Sequence, residues 1–402
     1  MIPKEELRRR KDVLQEKLRS LELDGALLAQ NMSLYYYTGT LQCQYAYIPA
    51  EGEVYGQIRK NMVRGKQEAG VALLALSSFS GLSGLLAEVG YLPKRLGLEL
   101  DVLPAATYFR LREAFFGVEL TDLSSTVREA RQVKSAYEFE QLLQAAKQVD
   151  LLHARLPALL HEGKEELEIA ADCEAVLRKL GHQGFTRMRG FKQEMFFGHL
   201  LSGQAGAVAS HLDSPTGGIG VSVAASQGAG RKLIRRGEPV TLDYCGVYHG
   251  YGVDQTRLYS IGSLDRQLSL AFEAALAVQE AVSALLKPGV TGGEIYLEAL
   301  RIAKKFALAE HFMGVGDTQA KYVGHGVGLE FDEFPILAKG SQHLLAENMV
   351  VAVEPKFTFP NKGVDTHAAC GTSGRMKTAS CRMFFLRLAT RSYLLGTSSP
   401  MS

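Results

Sequence analysis

A chain of 402 residues has room for two or more domains, and 46% hydrophobic with 22% charged residues lets it bury a sizeable core. A formal net charge of +2 excludes the broad basic stripe of a nucleic-acid binder. The cysteines Cys43, Cys173, Cys245, Cys370 and Cys381 have no C-x-x-C spacing, which excludes a disulfide framework or cysteine zinc site and predicts reduced thiols in a cytoplasmic protein.

The first residues are charged, and Leu7, Val13, Leu14, Leu18 and Leu21 recur near helical spacing, so an amphipathic helix is expected over 4–22 and not a signal peptide. No run of 18 apolar residues occurs, and no membrane span is expected. An apolar run at 24–29 reads as a buried strand, another strand is expected over 71–79, and helices alternate with strands to about residue 130, which predicts an α/β domain. After a break at Arg131–Ser135, two long helices are expected over 135–180, closed by Gly163 and Gly181 as C-caps. Glycine-rich strand segments follow over 185–260, then helices over 264–287 and 293–310 separated by the Pro288-Gly289 turn, then strands at 349–359. Helices beside antiparallel strands predict an α+β second domain.

The stretch 240–257 reads as a β-hairpin, two apolar arms flanking a His249-Gly250 turn. Asp243 lies on one arm and Asp254 on the other, so two carboxylates reach one cross-strand neighbourhood, where a divalent cation would neutralise them. The bland alternative is a solvated turn with Arg257 as ion-pair partner. His325 stands between Gly324 and Gly326, which permit unusual backbone angles and close approach, and Glu330, Asp332 and Glu333 follow it; a ligand histidine and a structural one are both consistent with this. The alternating run 348–354 delivers Glu354 at the end of a strand, as a rigid element presents a ligand, although a strand-end Glu is common.

In chain order, the Asp243 hairpin with Asp254-Gln-Thr-Arg257, the run Gly324-His-Gly-Val-Gly328 and the pair Glu354-Pro355 resemble the pattern of the pita-bread metallopeptidase family. That family includes prolidase, Xaa-Pro aminopeptidase, methionine aminopeptidase and the metal-free creatinase. The N-terminal part, with Tyr36-Tyr-Thr-Gly39, looks like the smaller creatinase-type domain, and the resemblance covers roughly residues 5–360. It implies an α/β creatinase-type domain over 1–133 and an α+β pita-bread catalytic domain over 134–363. It also implies that Asp243, Asp254, His325 and Glu354 hold a pair of divalent ions with Asp254 bridging them. Mn²⁺ suits the oxygen-rich set best, with Co²⁺ and Zn²⁺ as the family's other metals. The implied activity is hydrolysis of Xaa-Pro bonds in short proline-containing peptides, by a homodimer, with no nucleic-acid or membrane partner. Two other readings, a non-catalytic binding protein and a creatinase-like hydrolase without metal, share the same fold.

The sequence departs from the family at three places. A second histidine is expected seven residues after His325, where Asp332 stands as the candidate catalytic group. An upstream histidine is expected after Ser202-Gly203; His211 comes one residue out of register, and His199 is the other candidate. A final bridging Glu is expected about fourteen residues after Glu354, where Ala368 stands, and Asp365 is the only acid nearby; loss of that Glu makes fewer than two ions per chain and impaired hydrolysis the alternative expectation. Residues 366–402 carry five basic side chains and no acid, so removing them takes the net charge from +2 to −3. The segment 364–402 therefore reads as an atypical basic tail, out of frame or otherwise replaced.

Overall fold

The computed structural model describes residues 1–212 and 214–366, together with the strand segments Ala369–Thr372, Arg375–Thr378 and Phe384–Phe385, the last three as backbone only. The expected bridging position at Ala368, and most of the basic tail, lie outside the described residues.

The N-terminal half alternates helices and strands: α1 (Lys4–Ser20), β1 (Gly25–Leu28), α2 (Asn31–Thr38), β2 (Tyr45–Pro49), β3 (Tyr55–Ile58), α3 (Met62–Glu68), β4 (Ala72–Ala75), α4 (Leu82–Glu88), β5 (Arg95–Leu98), α5 (Ala105–Ala114), β6 (Glu119–Asp122) and α6 (Ser124–Gln132). The strands make one sheet in the order β4-β3-β2-β1-β5-β6. It is mixed: β1–β2 and β2–β3 are antiparallel, and the other pairs are parallel. Leu14 and Leu18 of α1 pack on one face and Leu82, Leu86, Leu111 and Phe115 on the other. The central strands β1 and β2 are buried on both faces, whereas the edge strands β4 and β6 are partly exposed. Gly39 ends α2 at φ +81°, a left-handed cap that favours glycine.

The second half begins at α7 (Ala136–Leu159), where Ser135 and Glu138 form a capping box, and continues through α8 (Glu166–Lys179). Three antiparallel strands follow: β7 (Gly198–Ser202), β8 (Val240–Tyr248) and β9 (Tyr251–Tyr259). Then come α9 (Arg266–Leu285), α10 (Gly292–Lys305), β10 (Tyr322–Gly326), β11 (Glu333–Ala338), β12 (Val350–Val353), β13 (Lys356–Phe359) and β14 (Gly363–Thr366). Strands β11-β10-β12 run antiparallel. Helices α7 and α8 share one apolar core with β7–β9, and α9 and α10 share another with β10 and β12. Helix α9 is long and apolar enough to cross a membrane by composition alone, but Leu268, Ala271, Ala275, Val278 and Val282 are buried in that second core. One expected cap differs. Helix α7 stops at Leu159, where Leu160 turns extended, so Gly163 (φ +86°) belongs to the following loop; Gly181 (φ +92°) does follow the end of α8.

Buried ions join the two halves. Arg10 of α1 donates to Glu6 (2.7 Å), the Tyr36 carbonyl (3.0 Å) and Tyr251 Oη of β9 (2.8 Å). Arg131 of α6 pairs with Glu330 at 2.9 Å and with Glu333, which also takes Lys134 at 2.8 Å. Arg189 pairs with Asp101 (2.6 Å) and Glu99 (3.1 Å). The buried cluster therefore holds the N-terminal sheet and the 330–333 turn in one arrangement.

Candidate metal centre

The hairpin turn has His249 at φ +48° and Gly250 at φ +85°, both left-handed, which matches the twist of a two-residue connection. In the ladder Asp243 lies opposite Thr256 and Asp254 opposite Cys245, so the two aspartates are diagonal neighbours on one face. Arg257 is not their partner: it bonds Asp150 (3.2 Å) and Gln255 (3.0 Å). Asp243 instead accepts from Thr256 Oγ1 at 2.7 Å.

His325 comes from the opposite sheet, on β10, with Ala352 across on β12. Its flanking glycines are needed for close approach rather than for unusual angles. A Cβ on Gly324 would stand 2.2 Å from the Ala352 carbonyl, and one on Gly326 2.2 Å from the Phe334 carbonyl. Glu354 follows β12 and reaches the same space. His325 Nε2 is 3.4 Å from Glu354 and 3.8 Å from Asp254, while its Nδ1 meets the Gly326 carbonyl at 3.1 Å. A backbone carbonyl on one ring nitrogen fixes the tautomer that leaves the other free for a metal.

A fifth group, not anticipated from the sequence, sits among these. Lys356 opens β13 two residues after Glu354, and its ammonium lies 2.5 Å from Glu354 and 3.0 Å from Asp243. Strand alternation, which puts i and i+2 on one face, was the available signal. Burial alone would raise Asp243 and Glu354, but Lys356, together with Thr256 and His199 at Asp243 and with His325 at Glu354, lowers both. Asp254, further from the ammonium, is raised well above the carboxylate range by burial and by the Asp243 and Glu354 charges. Burial opposes a charged His325, yet the Glu354 and Asp254 carboxylates raise it to about 9.

The donor chemistry fits a divalent ion: three carboxylates and one oriented imidazole. Two donors, each about 2.1 Å from one ion, stand at most about 4.2 Å apart, and the separations of His325 from Glu354 and Asp254 fall inside that limit. Among the described residues no group of three or more His, Cys, Asp or Glu side chains is arranged so that it could hold a metal ion as it stands. The ammonium of Lys356 holds part of that space.

The centre floors a cavity of about 210 Å³ whose other walls include Met188, Met195, Leu212, Phe331 and Ile336. His199, on β7 opposite Asp243, lines it as well; its Nε2 is buried without a hydrogen-bond partner, and burial lowers its pKa. His211 corrects an expectation. It is exposed, does not line the cavity, and meets Ser210 Oγ at 3.2 Å. Asp332 reaches the cavity, but its two carboxylate oxygens accept from the Arg189 and Gly190 amides at 2.7 and 2.8 Å. It anchors that loop, with both oxygens engaged as hydrogen-bond acceptors. Glu330 and Glu333, expected to accompany the histidine, go to the interdomain cations instead. Asp365 is no substitute ligand. It lies opposite Phe357 on the strand face away from Lys356, fully buried, with neither oxygen hydrogen-bonded among the described residues.

Residues 140–375 match the sequence profile of metallopeptidase family M24, and residues 10–133 match that of the creatinase/prolidase N-terminal domain. The first match runs past residue 364, into the segment that reads as an atypical tail. The probable dipeptidase PepE of Mycobacterium tuberculosis is 29% identical over 263 residues, 65% of this chain and 61% of that relative. The Xaa-Pro dipeptidase of Pyrococcus horikoshii is 25% identical over 363 residues, 88% of this chain and 92% of that protein. The crystal structure of dipeptidase PepE from Mycobacterium ulcerans shares the fold with a TM-score of 0.74 at 23% identity, covering 96% of this chain and 98% of that one.

Proposed function

The chain belongs to metallopeptidase family M24, and we propose that it hydrolyses Xaa-Pro bonds of short peptides using divalent metal held by Asp243, Asp254, His325 and Glu354. The observation that carries this is the convergence of three carboxylates and one backbone-oriented imidazole, from two different sheets, on the floor of an apolar-walled cavity. Three carboxylates outnumber the single Lys356 ammonium among them, which favours a further cation and disfavours metal-free hydrolysis.

A divalent ion bound there supplies Lewis-acid polarisation of the scissile carbonyl and a more acidic water. Mn²⁺ is our choice of ion, because the set is rich in hard oxygen donors. In this reading Glu354, the carboxylate nearest His325, would accept the proton of the attacking water. His199, neutral at pH 7 because burial disfavours its charge, lines the cavity with a ring nitrogen that has no hydrogen-bond partner among the described residues, and is our candidate for bonding the carbonyl oxygen. Phe331, Met188 and Met195 offer apolar surface to a proline ring, whose amide nitrogen has no hydrogen to satisfy. Asp332 holds the Arg189–Gly190 loop beside them.

The described cysteines Cys43, Cys173 and Cys245 are all buried and free, which supports a reducing, cytoplasmic setting. A homodimer through the N-terminal domain is part of this reading, and light scattering of the purified protein tests it. The activity is tested by stripping the protein with chelator, reloading it with Mn²⁺, and comparing an Xaa-Pro with an Xaa-Ala dipeptide. Turnover of the first alone, restored by metal and lost in Asp254→Ala, is the expected result; no turnover after reloading, or equal turnover without metal, overturns it.

A further inference from the structure

We infer that Lys356 is a tethered cation that occupies the space of one metal ion, so that the chain completes its centre with a single divalent ion on the Asp254–His325 side. This rests on the reading of Asp243, Asp254, His325 and Glu354 as metal ligands. The Lys356 ammonium bridges Asp243 Oδ2 (3.0 Å) and Glu354 Oε2 (2.5 Å), joining a carboxylate of one sheet to a carboxylate beside the other. The residue is 2% exposed, so the charge is buried and directed inward rather than extended to water. Its strand fixes it there: β13 pairs with β14 through Lys356 opposite Thr366, and Thr366 Oγ1 donates to the Pro355 carbonyl at 3.1 Å.

The charges balance. Asp243, Asp254 and Glu354 contribute three negative charges, and one ammonium with one divalent ion cancels them. Two divalent ions beside the ammonium would leave two uncompensated positive charges in a partly buried site, which low polarity penalises heavily. The geometry divides the site in the same way. Asp243 is committed to Lys356 and Thr256, whereas Asp254 and His325 have no contact with the ammonium within ion-pair distance. Glu354 faces both, with Oε2 on Lys356 and Oε1 toward His325. A lysine ammonium is a compact point charge able to take this role, and its tether makes it independent of metal supply.

The test is a calorimetric Mn²⁺ titration of metal-free wild type, Lys356→Met and Lys356→Gln, with manganese counted by elemental analysis after desalting and folding checked by circular dichroism. The expected result is one ion per chain in the wild type and a gain of one in the folded variants. Two ions in the wild type overturn the inference, even where a variant does not fold. No gain in folded variants overturns it too, and assigns a low count to the missing bridging carboxylate instead. No manganese in any of the three proteins refutes the ligand assignment itself, an outcome distinct from both.

Discussion

Replacing Glu333 by Gln keeps the size of the side chain and removes one negative charge from the cluster that joins the domains. Glu333 is 5% exposed, pairs with Arg131, and accepts from Lys134 at 2.8 Å. Burial alone would raise its carboxyl, but the two cations lower it from 4.5 to about 2. A folded-state pKa below the unfolded one contributes stability that is present above pH 4.5 and lost as pH falls toward 2. The difference amounts to about 3 kcal/mol at pH 7 and less than half of that, about 1 kcal/mol, at pH 3. Glu330 stays behind on Arg131 at 2.9 Å, so the variant loses one arm of the cluster and not the whole. The assay is guanidinium unfolding of wild type and Glu333→Gln at both pH values, followed by far-ultraviolet circular dichroism. A gap of a few kcal/mol at pH 7 that narrows at pH 3 is expected. Equal stability at pH 7, or a gap that survives unchanged at pH 3, refutes the electrostatic account of the clasp.

Asp365→Val is expected to stabilise the protein, because a buried carboxyl without a partner costs roughly 1–3 kcal/mol. Its folded pKa is raised by burial, so its own contribution worsens as pH rises, and the gain in melting temperature should be larger at pH 7 than at pH 4. His199→Ala should lower kcat by about 100-fold or more, the usual worth of a positioned proton donor, while His211→Ala leaves kcat unchanged; steady-state kinetics on an Xaa-Pro dipeptide separates the two. Loss of an outer metal partner costs about 10–100-fold, so Asp254→Asn should cut manganese affinity by at least about 100-fold, measured by competition with a chromophoric chelator.

The parts legible in the sequence were those fixed by local pattern. The apolar arms and His249-Gly250 turn predict the hairpin, and the hairpin alone brings Asp243 and Asp254 onto one face. Gly324 and Gly326 mark His325 because any Cβ there would strike a neighbouring strand, a constraint visible as glycine even before its cause is known. What escaped depends on partners distant in the chain. Glu330 and Glu333 look like companions of His325 until Arg131 and Lys134, some 200 residues earlier, claim them. Spacing from Ser202-Gly203 favoured His211, but it could not reveal that His199 lies on β7 directly opposite Asp243. Lys356 was within reach: period-two spacing from Glu354 places it on the ligand face.

The central claim, that Asp254, His325 and Glu354 hold a divalent ion beside the Asp243–Lys356 pair, is tested most directly by diffraction from Mn²⁺-soaked crystals at the manganese edge. An anomalous peak between His325, Asp254 and Glu354, with Lys356 still bound to Asp243, is the predicted result. A peak elsewhere, or none while the four side chains stay ordered, contradicts it.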